Sequence, residues 1–467
     1  ILFALFFFSH STIFDVERSR RKFLGKAGGI AGSIMILPTW VIGKQKSPNS
    51  KLNVALIGVG GIGGQAMENI GSAPEVNIAA FCDVDDNRAS SHYKKMPSVP
   101  RFRDFRVMFD KMNKQLDGVI ISTPDHMHYP IATWAFACGK HVFCQKPLAR
   151  TIWECRQMRK LANKAGVITQ MGNQGHTMEG WRQIREWYEA GILGQIEDIY
   201  SWTDRPLWPQ GDLPIPPAQP IPAYYDHNLW LGVAPFQEYN KIYTPWNWRG
   251  LRNYGTGAEG DMACHLLDPS NAAFDLGYPT KIVGNSSKFN DYSWPKEAST
   301  TMVFENSRGV NGKISLHWFD GGRRPKEVKR VDEAFLKDPR NSNGTFIVGT
   351  KETLYTDCYG KNSIIYPRKR MAELKRSGAF PKPTLERSPT PGNAHLEWAR
   401  CCLAGKQAGS NFNYSAPFTE MALLGMVALT QPDREITYLP NEMRFVDCPE
   451  ADKYLHSLYE YKKEFLV

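Results

Sequence analysis

The sequence contains no C-x-x-C pair, and its nine cysteines are odd in number. Cys401 and Cys402 are adjacent and cannot easily bridge each other, while Cys82 and Cys144 sit inside apolar runs that read as strands. A disulfide framework is thereby excluded, and buried free thiols are the reading that remains. Zinc-finger spacing and RNA-binding signatures are also missing. Lys and Arg outnumber Asp and Glu by 57 to 47, a net charge of +10. The isoelectric point is about 9.0. The basic residues are nevertheless dispersed, with local clusters only at Arg18–Lys26 and Arg368–Arg376. Dispersed basic residues make a solvated surface, so no nucleic-acid partner is expected. A mean hydropathy of −0.41 excludes a polytopic membrane protein. There is no internal repeat. What is present is an ordinary globular composition, 42% hydrophobic and 22% charged, in 467 residues. That length accommodates two or three domains whose cores need no disulfides.

The first fifty residues read as an address. Ser19-Arg20-Arg21-Lys22-Phe23-Leu24 fits the twin-arginine export pattern. An apolar stretch rich in small residues follows, Ala27–Gly43, and then a polar linker, Lys44–Ser50. The expected location is the periplasm. No A-x-A cleavage site is evident, so an uncleaved membrane tether is the alternative, although the stretch is short and interrupted for a spanning helix. The apolar run Ile1–Phe8 carries no structural weight.

Leu52–Gly58 is a short apolar run with β-branched residues and reads as a buried parallel strand. Gly58-Val59-Gly60-Gly61-Ile62-Gly63 follows at once and fits G-x-G-x-x-G. Gly58 permits the tight turn, Gly60 lets a pyrophosphate approach the backbone, and Gly63 lets the next helix pack closely. The start of that helix, at Ile62, offers free N–H groups to phosphate. Val76–Cys82 reads as a second strand with Asp83 at its end, twenty residues after Gly63. A carboxylate there accepts from ribose hydroxyls and repels a 2′-phosphate, which favours NAD over NADP. Arg88, close by, keeps NADP as the alternative, and a helix cap is the structural alternative for Asp83. The pattern then alternates as an α/β fold requires: strand Asp117–Thr123, helix Tyr129–Cys138, strand His141–Gln145, a capping box at Thr151–Glu154 opening helix Ile152–Ala165, and strand Val167–Met171.

Gly58–Gly63, Asp83, Thr123-Pro124-Asp125-His126-Met127-His128 and Gln145-Lys146-Pro147, in this order, resemble the Gfo/Idh/MocA family of sugar-related oxidoreductases. The resemblance runs from about Lys51 to about Pro440. It implies an N-terminal Rossmann dinucleotide-binding domain and a C-terminal α/β domain with an open, mostly antiparallel sheet that often forms an oligomer interface. The expected organisation is residues 1–50 as signal and linker, 51–172 as the NAD-binding domain, 173–430 as the substrate and oligomerisation domain, and 431–467 as a C-terminal tail. The resemblance also implies NAD contacts from Gly58, Gly60, Ile62, Gly63, Asp83, Thr123, Pro124, His126, His128 and Lys146, with no metal needed. The family usually carries Glu-Lys-Pro where this chain has Gln145-Lys146-Pro147, so one anion beside the lysine is missing and its proton role is left open.

Hydride transfer from an alcohol needs a base for the hydroxyl proton. Lys146 lies just past a strand end, where ligands bind in open α/β sheets; on residue type alone a surface lysine in a turn is the preferred reading, and it is the resemblance that implies a catalytic one. Asp261 and His265 are four residues apart and share a face if helical. They look like the family's D-x-x-x-H element, with His265 as proton shuttle and Asp261 as its orienter or a substrate acceptor. A cap at Asp261 followed by a partly buried histidine is the plainer alternative. Asp261, His265 and Asp268 together also have the composition of a carboxylate–histidine metal site. Asn173 and His176, after a strand on the same rim, are either substrate contacts or a polar turn.

The segment Trp202–Trp248 combines five tryptophans with nine prolines and no helix or strand pattern. Indole faces stack on sugar rings, and Arg205, Arg249 and Trp248 are substrate-binding candidates in hydroxyl or carboxylate recognition. A packing arm on a neighbouring subunit is the other reading. Strands are expected at Thr301–Glu305, Asn311–Trp318, Gly344–Gly349 and Thr353–Thr356, a helix at Glu420–Leu429, and an exposed excursion at Lys361–Pro391.

The expected function is a periplasmic NAD-dependent oxidoreductase acting on a sugar, glycoside or polyol, in a homo-oligomer. Reduced cofactor released outside the cytoplasm is not expected to be recycled, so the NAD should be held tightly and regenerated within one cycle. A redox-neutral glycosidase, working by oxidation, elimination and re-reduction, is the alternative. A non-catalytic sugar-binding protein is the third class, and the intact Lys146, Asp261 and His265 argue against it.

Overall fold

Leu52–Ile57, apolar and almost wholly buried, forms the central strand β1. The computed structural model describes residues 51–467; the twin-arginine motif, the apolar stretch and the linker lie outside the described residues. Around β1 stand β2 (Val76–Cys82), β3 (Arg101–Phe102), β4 (Gly118–Ile121), β5 (His141–Cys144) and β6 (Thr169–Met171), in the order β3-β2-β1-β4-β5-β6. Every pairing is parallel. Such a sheet must be covered on both faces, and its strands accordingly read as continuous apolar runs. Val54, Leu56, Phe81, Ile120 and Phe143 pack on one face with Trp398 and Ala399 of the helix Ala394–Ala404. Ala55, Ile57, Val119, Ile121 and Val142 face the other way, toward Met108, Ile131, Ala135 and Met158. Strand order reverses between β1 and β4, so the carboxyl ends of these two strands open a crevice.

The helix Ile152–Ala165 begins and ends where its sequence says it should. Thr151 and Glu154 exchange both capping-box bonds, 2.8 and 3.2 Å, and Gly166 closes the helix at φ 65°.

The second sheet has nine strands: β7 (Ile196–Thr203), β8 (Lys281–Ser286), β9 (Ala298–Val310), β10 (Lys313–Phe319), β11 (Asn343–Gly349), β12 (Thr353–Thr356), β13 (Ser363–Tyr366), β14 (Ile436–Leu439) and β15 (Arg444–Phe445). Their order is β13-β12-β11-β7-β10-β9-β8-β14-β15. All neighbours are antiparallel except β7 with β10 and a single β7–β9 pairing. The segment 431–467, set apart as a tail in the sequence, thus adds two strands to this sheet. Asn311 and Gly312, read as the start of a strand, instead form the β9–β10 turn with φ of 53° and 73°. Consecutive positive φ values are what a tight hairpin needs and what Asn-Gly supplies. Lys361–Pro391 is less of an excursion than its composition implies. It contributes β13 and the helix Arg368–Arg376, and Arg387 ties its far end to Glu179 and Glu186.

The two sheets are joined by the helix Phe412–Ala428, which begins well before Glu420 and packs against Ile152–Ala165. Across that contact Arg156 donates to both oxygens of the buried Glu420, at 2.8 and 2.5 Å. Tyr438 of β14 donates to the same carboxylate at 2.6 Å. No helix among the described residues is long and apolar enough to cross a membrane.

Candidate active site

A cleft of about 900 Å³ opens at the β1/β4 switch point. One end is lined by Gly58, Gly60, Gly61, Ile62, Asp83 and Arg88, the other by Lys146, Asp261 and His265. The glycine loop leaves no room for side chains. A Cβ on Gly58 (φ 82°) would lie 2.6 Å from the Ser122 carbonyl oxygen, and one on Gly63 only 1.7 Å from that of Gly58. The helix Ile62–Gly71 then starts against this loop. Gly63 and Gly64 find backbone acceptors in Gly60 and Gly61, whereas among the described residues the N–H groups of Gly61 and Ile62 find none. The hydroxyls of Ser122 and Thr123 line the same cleft, buried and without partners among the described residues. Unpaired donors at a helix start, beside a backbone that admits no side chain, fit the pyrophosphate and ribose of a dinucleotide.

Asp83 acts on the loop itself. One carboxylate oxygen accepts from Val59 N at 2.6 Å and Gly60 N at 3.1 Å, and the other from Asp85 N at 2.9 Å. Burial raises its pKa, with those three backbone donors pulling against it. The cap of the following helix Asp86–Lys95 is Asp85, which accepts from Arg88 N. Arg88 itself stands over Gly60 and Gly61.

The cleft is strapped. Asp86 N donates to Tyr224 O at 3.0 Å and Asp226 N to Val84 O at 2.9 Å. The Trp202–Trp248 segment thus crosses from the second domain to the loop after β2. Tyr225, Leu229 and Trp230 of that segment line the cleft, as does Phe465 from the C-terminal end. Phe465 is held by Trp134, whose indole N–H donates to its carbonyl, and by Arg106 over its ring. The segment is therefore less irregular than its prolines imply. It contains the helix His227–Leu231, and its Tyr225, Trp230, Tyr239, Tyr243 and Trp248 form an aromatic cluster with Tyr254.

At the far end, the helix Gly257–Leu266 carries Asp261 and His265. Asp261 is mid-helix, not a cap. Its Oδ1 accepts from Lys146 Nζ at 2.7 Å and from Arg249 Nε at 3.3 Å. Lys146 also donates to the Asp261 carbonyl at 2.9 Å. Burial alone would raise the Asp261 pKa, but Lys146 and Arg249 outweigh it and hold it at about 2. Asp261 therefore orients Lys146, and no hydrogen bond joins it to His265 among the described residues; its expected role as the orienter of His265 is corrected. The anion missing at Gln145 is supplied instead from across the cleft. Gln145 turns toward His395, 3.4 Å away. His265 is buried, and burial with the nearby Lys146 charge holds it down to about 3, so its ring is neutral. Among the described residues its Nδ1 has no partner, and Tyr359 stands edge-on at 5.0 Å.

Other expected contacts lie elsewhere. Asn173 and His176 do not line the cleft. Both hydrogen-bond the Asp268 carboxylate, at 2.9 and 3.1 Å, in a buried network that also takes Tyr414 at 2.7 Å. Asp268 is thereby turned away from Asp261 and His265, and the described residues hold no group of three metal-ligand side chains. His126 is buried against Trp230 and Tyr254, with Nε2 3.1 Å from Trp230 O. His128 lies between the carbonyls of Pro147 and Thr123, at 2.9 and 3.0 Å. These two histidines position the turns that carry Thr123, Pro124 and Lys146 and do not themselves face the cleft. Trp248 reaches the cleft but is mostly buried beneath Arg249, whose guanidinium lies 4.3 Å from its ring; Trp246 offers the exposed indole, at 57%.

Sequence reasoning overlooked Asp125. It lines the cleft and accepts from Thr256 Oγ1 at 2.8 Å. Burial raises its pKa to about 7 against the pull of Arg249 and Thr256. Its place between Pro124 and His126 was the available signal. Tyr359, from the turn after β12, had none.

Comparison with known proteins agrees with the fold and with a dinucleotide-binding domain. A family model described as an oxidoreductase family with NAD-binding Rossmann fold matches residues 52–173. A second, described as the C-terminal alpha/beta domain of an oxidoreductase family, matches residues 195–283. Inositol 2-dehydrogenase of Salmonella typhimurium is 28% identical over 147 residues, 31% of this chain and 43% of the relative. Levoglucosan dehydrogenase of Pseudarthrobacter phenanthrenivorans is 24% identical over 268 residues, 56% of this chain and 54% of the relative. The chain thus spans about half the length of these curated relatives or less. The crystal structure of aldose-aldose oxidoreductase from Caulobacter crescentus, complexed with glycerol, superimposes with a TM-score of 0.55. At 15% identity, over 83% of this chain and all of that one, the likeness is one of fold.

Proposed function

From the match of both its domains to models of the Gfo/Idh/MocA oxidoreductases, we propose that the chain oxidises a sugar, glycoside or polyol in the periplasm, with an NAD that stays bound through the cycle. The observation that carries this reading is the convergence of Lys146, Asp261 and His265 at one end of a cleft whose other end is a dinucleotide cradle. When bound, NAD supplies the hydride acceptor. The protein supplies the rest. Lys146, fixed by two hydrogen bonds to Asp261, presents its remaining N–H to the reacting oxygen. His265, neutral and with an unpartnered Nδ1, takes the hydroxyl proton. Its depressed pKa makes it a relay that gives the proton up again. The exposed Trp246 face is available to the ring of a sugar.

The twin-arginine motif supports the periplasmic location, and the strap supports cofactor retention. The Asp86–Tyr224 and Val84–Asp226 bonds hold this segment against the loop after β2, at the nucleotide end of the cleft. A panel of glycosides and free sugars, screened for keto-sugar and for released aglycone, tests the reading. Keto-sugar is the expected product, formed together with the reduced form of a second sugar that takes the hydride back from the bound nucleotide. Aglycone release without net redox change would assign the redox-neutral glycosidase instead. Neither product from any sugar, with the nucleotide bound, would contradict the proposal.

A further inference from the structure

Arg205 stands just past β7 with its backbone held on both sides. Its N–H donates to Thr203 Oγ1 at 3.2 Å and its carbonyl accepts from Gly321 N at 2.7 Å. Its side chain is half-buried and lines the cleft beside Asn343, Tyr359 and His265. Among the described residues no carboxylate pairs with it. The neighbouring acids are engaged elsewhere: Asp204 binds Arg324, Asp357 caps the turn at Lys361 and Asn362, and Asp261 holds Lys146 and Arg249. Arg249, the other guanidinium of the site, lies between that carboxylate and the indoles of Trp208, Trp246 and Trp248. The reactive end of the cleft therefore holds the cations Lys146, Arg205 and Arg249 against the carboxyl groups of Asp261 and Asp125, and Asp261 is already paired with Lys146 and Arg249. A neutral sugar closing over this end would leave the Arg205 guanidinium desolvated and unpaired, which is costly.

We propose that the substrate is a carbohydrate carrying a carboxylate, a uronic or aldonic acid or its glycoside, and that Arg205 binds this group. The inference rests on the oxidoreductase reading for the reaction and on Arg205 alone for the charge. The planar fork of a single guanidinium matches one carboxylate in a bidentate pair. With the backbone at Thr203 and Gly321 fixed, the group enters the cleft from the β7 side, next to the Tyr359 ring, and leaves the hydroxyl-bearing carbons to Lys146 and His265.

The test uses the full chain with its bound nucleotide and two matched probes, glucuronate and glucose. Calorimetric titration should show the wild type binding glucuronate about 10- to 100-fold more tightly, as charge-assisted hydrogen bonds require. Arg205→Gln should abolish the preference, and Arg205→Lys should keep part of it, showing that a folded site with a cation is what matters. Equal affinities in the wild type, or a preference that survives Arg205→Gln, would overturn the inference. Absorbance of reduced nicotinamide is followed on the same samples. A uronate preference with no absorbance change from any sugar would contradict the oxidoreductase reading and leave the Arg205 assignment standing. Reduction by glucose with no uronate preference would do the reverse.

Discussion

The Lys146 ammonium lies 2.7 Å from the Asp261 carboxylate, and the two side chains are only 15% and 13% exposed. They come from opposite domains, one from the turn after β5 and the other from the helix Gly257–Leu266. The pair thus links the two domains across the cleft and fixes the position of the reactive lysine. Removing one member of a buried pair leaves the other uncompensated, at a cost of about 3–5 kcal/mol when burial is complete. Asp261→Asn should therefore lower both turnover and denaturant stability, and Lys146→Met/Asp261→Asn should recover most of the stability and none of the turnover. Denaturant titration of the single and double variants checks this. Asp261→Asn as stable as the wild type would show that the pair is not coupled.

His265→Ala should cost about 10²- to 10⁴-fold in turnover, the range for a positioned proton acceptor, with nucleotide affinity unchanged. Retained turnover in both His265→Ala and Lys146→Met would refute the site.

Asp125 predicts a pH effect of definite sign. Its folded pKa, raised by burial to about 7, lies above the ordinary 3.8. The native state then holds a proton that the unfolded chain has released, so its contribution to stability is present below 3.8 and is lost as pH rises toward 7. Wild-type stability relative to Asp125→Asn should fall across that window and level off above it. Urea unfolding of both proteins over a pH series measures the difference, and parallel curves would contradict the assignment.

The strap predicts slow cofactor release. Truncation before Lys463, which removes Phe465, and Asp226→Ala, which removes the side chain that accepts from Leu229 N in the strap helix, should each speed NADH dissociation. Stopped-flow fluorescence of the reduced nucleotide reads the rate. Unchanged rates in both would show that the strap does not retain the cofactor.

Arg156 predicts a stability effect away from the site. Glu420 is fully buried, and Arg156 is its cationic partner. Arg156→Ala should cost about 3–5 kcal/mol, and Arg156→Leu/Glu420→Leu considerably less, because the uncompensated charge disappears. A double variant no more stable than the single would sink this account.

The dinucleotide half of the molecule was legible because its signals are local. A glycine turn between an apolar strand and a helix needs no distant partner to be recognised, and the Thr151–Glu154 box names its own helix. β7 was not legible, because Glu197, Asp198 and Ser201 interrupt its apolar residues and its neighbours β10 and β11 lie more than a hundred residues onward. The active-site residues were found by type, but their pairing was not. Asp261 and His265 share a helix, which made them look like partners, whereas the stronger attraction came from Lys146 across the cleft. Asn173, His176, His126 and His128 show the same limit. Polar residues after strand ends look like ligand contacts, and here they tie buried loops to each other.

The most direct test of the account is the nucleotide carried by the purified full chain. The protein is isolated gently without added cofactor, its bound nucleotide is identified after denaturation, and a second aliquot is mixed with sugar while the reduced-nicotinamide absorbance is followed. The account predicts NAD or NADH in stoichiometric amount, and reduction that stays with the protein on gel filtration. Protein free of nucleotide, or reduced cofactor that elutes separately, would contradict it.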